Sequence, residues 1–192
     1  MIANLLQTQL SQTDTPKAWG LVKEMKEQNA TEKPAIRFHC IDAILVSLSI
    51  EKQGLKFYEK AARKSQDPKV RKMFQYLADE EKEHIQTLQE KAQFLQPVLY
   101  KKVTSRKQVE NFIAENLQGK VFPEMKGGKG ADFSSDAEAL DLGILSEQKS
   151  INMLNELLLQ ERKLEVRAIF LHLLVEEKKH LACLEELRKS FT

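Results

Sequence analysis

Cysteine is nearly absent from this chain. Of 192 residues only Cys40 and Cys183 are cysteines, far apart and in no C-x-x-C pair. That argues against a disulfide framework and against a zinc or iron–sulfur site built on thiolates. Both are expected to be small buried hydrophobes. Glycine and proline are scarce too, at seven and five positions, while charged residues make up 30 %. This composition suits a helical globular protein and not a disordered one. No apolar run is long enough to cross a bilayer, and the richest, Ile41 to Ile50, carries Asp42 and two serines. The opening MIANLLQTQLSQ lacks the basic start of a signal peptide. Lys and Arg number 30 against 28 Asp and Glu, a net charge of +2 with no basic tract. Neither nucleic acid nor a membrane surface is an expected partner, and the expected location is cytoplasmic.

What the chain does have is helical periodicity. Residues 1–34 read as an extension, in which Thr15-Pro16 starts a short amphipathic helix carrying Trp19, Val22 and Met25. Residues 35–192 read as the main body. From Ile41 to Lys64, Ile44, Leu48, Glu51, Leu55, Tyr58 and Ala62 share one face. Asp67 then caps a new helix whose first residue is Pro68. It is expected to run to about Phe94, with Pro97 ending it. A short helix is expected over 105–118, followed by a glycine-containing loop, KVFPEMKGGKGADF. Ser135 and Glu138 form a capping box before a third long helix to about Gln160. A fourth runs from about Lys163 to Ser190.

The chain also repeats itself. A shift of 96 positions lays Glu51 on Glu147, Val70 and Arg71 on Val166 and Arg167, Phe74 on Phe170, and Leu77 on Leu173. It also lays Glu80, Glu81, Lys82 and His84 on Glu176, Glu177, Lys178 and His180, and Leu88 on Leu184. Each half is a helix hairpin. Two hairpins joined by a crossover of some forty residues make an all-α four-helix bundle.

The repeat carries an anomaly. Glu81-x-x-His84 and Glu177-x-x-His180 each interrupt an apolar stripe, between Leu77 and Leu88 in one half and Leu173 and Leu184 in the other. Residues three apart lie on one helical face. Thirty residues before each pair stands a single glutamate, Glu51 or Glu147, also on an apolar stripe. In a helix hairpin, thirty residues is about the distance out and back from one depth. Four carboxylates and two imidazoles should therefore meet at one level of the core. Left alone, such carboxylates repel each other and take up protons. Two divalent metal ions balance four negative charges, and oxygen ligands with one imidazole per ion suit iron or manganese. The roles expected are Glu81 and Glu177 bridging, with Glu51, His84, Glu147 and His180 terminal. An isolated E-x-x-H carries little information, because such pairs usually face solvent. Two copies in register, each with its upstream glutamate, carry much more.

These motifs, Glu51…Glu81-x-x-His84 and Glu147…Glu177-x-x-His180, resemble the ferritin-like di-iron superfamily, most closely its rubrerythrin branch, over about residues 41–190. The resemblance implies a di-iron redox protein that reduces hydrogen peroxide or dioxygen, or one that oxidises and stores ferrous iron. Rubrerythrins proper carry a four-cysteine rubredoxin domain as electron donor. With two cysteines, this chain would take electrons from a separate rubredoxin-like protein, and a homodimer is the expected assembly. Typical rubrerythrins also place an extra glutamate one turn from the third-helix ligand. Here those positions are Ile144 and Ser150, so the ligand set resembles the symmetric one of bacterioferritins.

Other residues carry less. Tyr58, two turns past Glu51, reads either as a partner or electron donor at the site, or as a core aromatic. Gly54 and Ser150 are expected to leave room for dioxygen or to let helices approach. Glu80 and Glu176 point about 100° away from the ligands around the helix and are expected either to be solvated or to support the ligands from behind, and His39 and His172 to be structural. GGKG at 127–130 lacks the spacing of a phosphate loop. Two rival readings remain, metal storage in a hollow assembly and a protein-docking module using the segment around Trp19.

Overall fold

A computed structural model of the chain describes residues 37–99, 106–124 and 133–190. The expected helix around Trp19 lies outside the described residues. Five helices are described: α1 Cys40–Lys64, α2 Pro68–Leu99, α3 Arg106–Asn116, α4 Asp136–Gln160 and α5 Leu164–Lys189. α1 and α2 form one antiparallel hairpin and α4 and α5 the other, and α3 lies in the crossover and packs on α1. The described residues thus form an all-α bundle of the ferritin-like kind.

Local signals set most boundaries. The His39 backbone N–H at the start of α1 donates to the Asp42 carboxylate at 2.8 Å. Asp67 Oδ1 accepts from the N–H groups of Lys69 (2.7 Å) and Val70 (3.1 Å), capping α2 at Pro68 as expected. Ser135 Oγ accepts from Glu138 N–H at 3.1 Å to cap α4. The Glu138 carboxylate reaches one residue further back than a capping box predicts, to Ser134 N and Oγ, both at 2.6 Å. α2 does not stop at Pro97 but ends at Leu99. So close to a C-terminus, the missing N–H forfeits a single hydrogen bond to the carbonyl four residues back. Gly119 follows α3 at φ 68°, where a Cβ would also meet Glu124 Cγ at 3.0 Å, so glycine fits this turn.

The arginines that matched in the repeat tie each hairpin turn. Arg71 Nη2 donates to Ser65 O at 2.9 Å, and Arg167 Nη1 donates to the carbonyls of Leu158 and Glu161. The two hairpins meet at this end through Asp136, whose carboxylate accepts from Gln66 N–H (3.1 Å) and Asp67 N–H (2.6 Å).

The core is filled by Ile44, Ile50, Phe57, Phe74, Leu77, Leu140, Leu154, Phe170 and Leu184, all buried. Each such side chain contributes roughly 1.5–3 kcal/mol on burial. Phe57 is fully buried although the apolar stripe read from α1 omits it, and Leu55 on that stripe is only half-buried. The crossover explains Phe57: Phe122 packs against it with ring centroids 5.9 Å apart, so α1 is covered on more of its surface than a four-helix core requires. The two cysteines are free and half-buried, more accessible than expected.

Candidate metal centre

All six residues singled out by the repeat converge in the bundle. Each hairpin supplies three. Glu51 on α1 and Glu81 and His84 on α2 come from the first, and Glu147 on α4 and Glu177 and His180 on α5 from the second. Their ligand atoms fall into two overlapping groups, each within 4.8 Å. One group is Glu51, Glu81 and His84, and the other is Glu81, Glu147, Glu177 and His180. Glu81 belongs to both. Because one group reaches deeper from solvent than the other, they are called outer and inner below. The His84 and His180 rings stack with centroids 5.7 Å apart.

The outer group has His84 Nδ1 3.4 Å from Glu51 Oε2. In the inner group His180 Nδ1 lies 3.5 Å from Glu81 Oε1 and 3.7 Å from Glu147 Oε1. None of these approaches has the geometry of a hydrogen bond. Glu51 Oε2, His84 Nδ1, Glu147 Oε2, Glu177 Oε2 and both nitrogens of His180 are buried without a hydrogen-bond partner. Buried polar atoms are normally satisfied, and each orphan costs about 1–3 kcal/mol. Orphans that are all oxygen and imidazole nitrogen, gathered in one place, are what a set of metal ligands looks like without its ion.

Electrostatics agree. Burial raises the pKa of Glu51 and lifts that of Glu177 well above the usual carboxylate range. Burial pushes Glu147 up to about 7. The Glu51 carboxylate beside His84 raises its pKa, whereas burial lowers that of His180. The cluster resists carrying four negative charges unless cations enter it.

Further side chains shape the site. The Tyr58 hydroxyl is buried and donates a short hydrogen bond to Glu147 Oε1, a contact that a partner of the site and a core aromatic with its hydroxyl satisfied both make. Burial, and then the Glu147 charge, hold the phenol pKa well above normal, so it stays a donor. The phenol ring packs edge-on to His180 and Phe122. Ser150 Oγ donates to Glu177 Oε1 at 2.7 Å, a role the spacing did not reveal. Gly54, the matching position in the first half, is small for a stated reason: a Cβ there would sit 2.7 Å from Glu81 Oε1.

Of the two readings for Glu176, solvated or behind the ligands, the structure matches the second: its Oε2 lies 3.9 Å from His84 Nε2. It lines a narrow pocket of about 30 Å³ with Glu51, His84, Thr87, Lys91 and His172. His172 is exposed at this pocket. No described helix is long and apolar enough to cross a membrane.

Searches of curated proteins and of solved structures return no significant match. The model of the rubrerythrin family does match, over residues 42–188. That span contains both hairpins, the crossover and all six convergent residues. On a match over most of its length, joined to this buried carboxylate–histidine cluster, the chain belongs to the rubrerythrin family of di-iron redox proteins.

Proposed function

We propose that this protein holds two iron ions in the six-residue cluster and reduces hydrogen peroxide or dioxygen with electrons from a separate, rubredoxin-like donor protein. The observation that carries the reading is the convergence of four buried carboxylates and two imidazoles whose inward atoms lack partners. Glu81, common to both groups, would be shared by the two ions, with Glu51 and His84 completing the outer position and Glu147, Glu177 and His180 the inner one; the shared role expected of Glu177 has no counterpart in the outer group. Manganese satisfies the same ligand chemistry.

Two bound ferrous ions would supply the electron pair that peroxide accepts as its O–O bond breaks, two protons completing two waters. The chain's own residues prepare this step. Tyr58 fixes Glu147 through its hydroxyl, and Ser150 fixes Glu177. Phe57, Phe74 and Phe122 around Tyr58 keep water from the inner side. The pocket beside His84 and Glu51 offers a small oxidant a way in at the outer side.

A second reading, oxidation of ferrous iron for storage, is favoured by one observation. The positions one turn from Glu147 are Ile144 and Ser150, and Ser150 is already engaged with Glu177, so no fifth carboxylate enters the cluster there.

The test is anaerobic reconstitution with ferrous iron, metal content per chain, then absorbance on adding stoichiometric peroxide or, separately, air. Two irons with fast oxidation by peroxide and slow oxidation by air is the expected result. Fast oxidation by air with uptake beyond two irons would move the assignment to storage. A chain that takes up no metal would end both readings. Light scattering adds a check, since a reductase is expected as a homodimer and a storage protein as a hollow shell.

A further inference from the structure

Glu176 is not one of the six convergent residues, yet it faces one of them. It stands on α5, while His84 stands on α2 in the other hairpin. Its side chain is only 13 % exposed, with Oε2 3.9 Å from His84 Nε2. Lys179, one turn further along α5, places its ammonium 2.8 and 2.9 Å from the two oxygens, fixing where the carboxylate sits. The other nitrogen of the ring, Nδ1, is turned into the cluster, buried and unpartnered.

A neutral imidazole carries one proton, on one nitrogen or the other, and a metal ion binds the nitrogen that lacks it. A carboxylate beside Nε2 favours N–H there and leaves the Nδ1 lone pair facing the cluster. At 3.9 Å the carboxylate acts through its charge, since the gap exceeds a direct hydrogen bond. We propose that Glu176 is a positioning residue for the outer metal, holding His84 in the Nε2–H tautomer across the junction of the two hairpins. The inference rests on the two-metal reading.

The burial of the two histidines explains why one of them has such a partner. His84 is 18 % exposed at the pocket, where water can compete for its ring, whereas His180 is 4 % exposed and packed against Tyr58. Glu80 precedes Glu81 in the repeat as Glu176 precedes Glu177, and its charge also acts on His180, but no described carboxylate outside the cluster comes within ion-pair distance of His180 Nε2. The close approach is therefore made on one side.

The decisive experiment titrates metal-free protein with ferrous iron under argon, comparing wild type with Glu176→Gln, which keeps the shape and removes the charge. Wild type should bind two equivalents. The variant should bind one as before and the other roughly ten- to a hundredfold more weakly. Nitrogen-15 spectra of histidine-labelled, metal-free protein, taken at a pH where the ring is neutral, supply a readout that a purely structural role would not move. His84 should show one tautomer in wild type and a mixture in the variant. Glu176→Ala should reproduce both effects with unchanged helix content. Wild-type affinities and an unchanged tautomer in the variant would overturn the inference while leaving the two-metal reading intact. Joint loss of both equivalents with a lowered melting temperature would mark Glu176 as structural and overturn it too. A wild-type chain that binds no ferrous iron would sink the metal-centre reading itself, and this inference with it.

Discussion

The outer and inner halves of the cluster have the same ligand types at the same spacing, yet their surroundings differ. Around Glu147 and His180 the protein is closed: Tyr58 bonds the glutamate and packs against the imidazole, and burial dominates both pKa shifts. Around Glu51 and His84 it is open on one side, with a narrow pocket and Glu176 at its edge. The differences arise where the repeat breaks. Tyr58 aligns with Leu154, and Gly54 with Ser150. Gly54 gives Glu81 room, while Ser150 at the matching place bonds Glu177. The repeated residues decide what can bind, and the unrepeated neighbours decide how firmly each position is held and how readily it is reached.

The comparison can be broken most severely at Glu81, which belongs to both groups. Glu81→Ala should cut metal content from two ions per chain to less than one. Loss of only the outer ion, by elemental analysis, would refute the shared role. The next largest effect is on pH. Burial raises Glu51 and Glu177 and takes Glu147 to about 7, and the Glu51 carboxylate raises His84. Groups raised in the folded state stabilise it fully below their unfolded values, about 4.3 for a glutamate, and lose that contribution as pH climbs through the folded values. His180, lowered by burial, opposes this below its unfolded value of about 6.5, one group against four. Metal-free protein should therefore melt higher at pH 5 than at pH 7.5, by a stability difference on the order of 3 kcal/mol. Metal-loaded protein should reverse the order, because its ligands must be deprotonated. Thermal scans with and without chelator decide it, and equal melting of the metal-free form at both values would contradict the account.

Gly54→Ser copies the second half's residue into the first, and its Cβ would meet Glu81 Oε1 at 2.7 Å. It should weaken the metal-loaded form by ~1–3 kcal/mol through displaced packing. Ferrous-ion titration with unchanged affinity for both equivalents would show that Glu81 has room to move. Tyr58→Phe removes the donor to Glu147 and should lower stability by about 1–2 kcal/mol. It should perturb the inner ion more than the outer one in a Mössbauer spectrum, and equal perturbation of both would blur the distinction drawn above. The smallest effect belongs outside the cluster. Lys82 pairs with Glu59 at 3.5 Å on the exposed face, and Lys82→Ala should shift urea unfolding by less than about 0.5 kcal/mol.

The six convergent residues, the hairpin turns at Asp67 and Glu161, and the cap at Ser135 were legible because each rests on spacing along one helix or on a doubled pattern. What escaped depends on contacts between elements. For Glu176 the helical wheel left two readings, solvated or behind the ligands, and only the approach of the other hairpin, which brings His84 Nε2 to 3.9 Å, decides between them. The hydroxyl of Ser150 was visible as a small residue and invisible as a donor, because its acceptor lies on another helix. Burial of Phe57 needed Phe122 from the crossover, whose path over α1 no local pattern announces. Pro97 misled for the opposite reason, since a strong local breaker matters little in a final turn.

The hairpin architecture also bears on the order of assembly. Each hairpin packs chiefly within itself, so its contacts are local in sequence and should form early. Glu51, Glu81 and Glu147, Glu177 are brought face to face only when one hairpin docks on the other. Their mutual repulsion therefore burdens the last step and spares the first. Refolding followed by stopped-flow fluorescence of the buried Tyr58 should show a late phase that quickens when pH falls toward 5 or when a divalent ion is present. A late phase indifferent to both would separate docking from the cluster. If the phase responds, the ion acts as a template that recruits the second hairpin to the first.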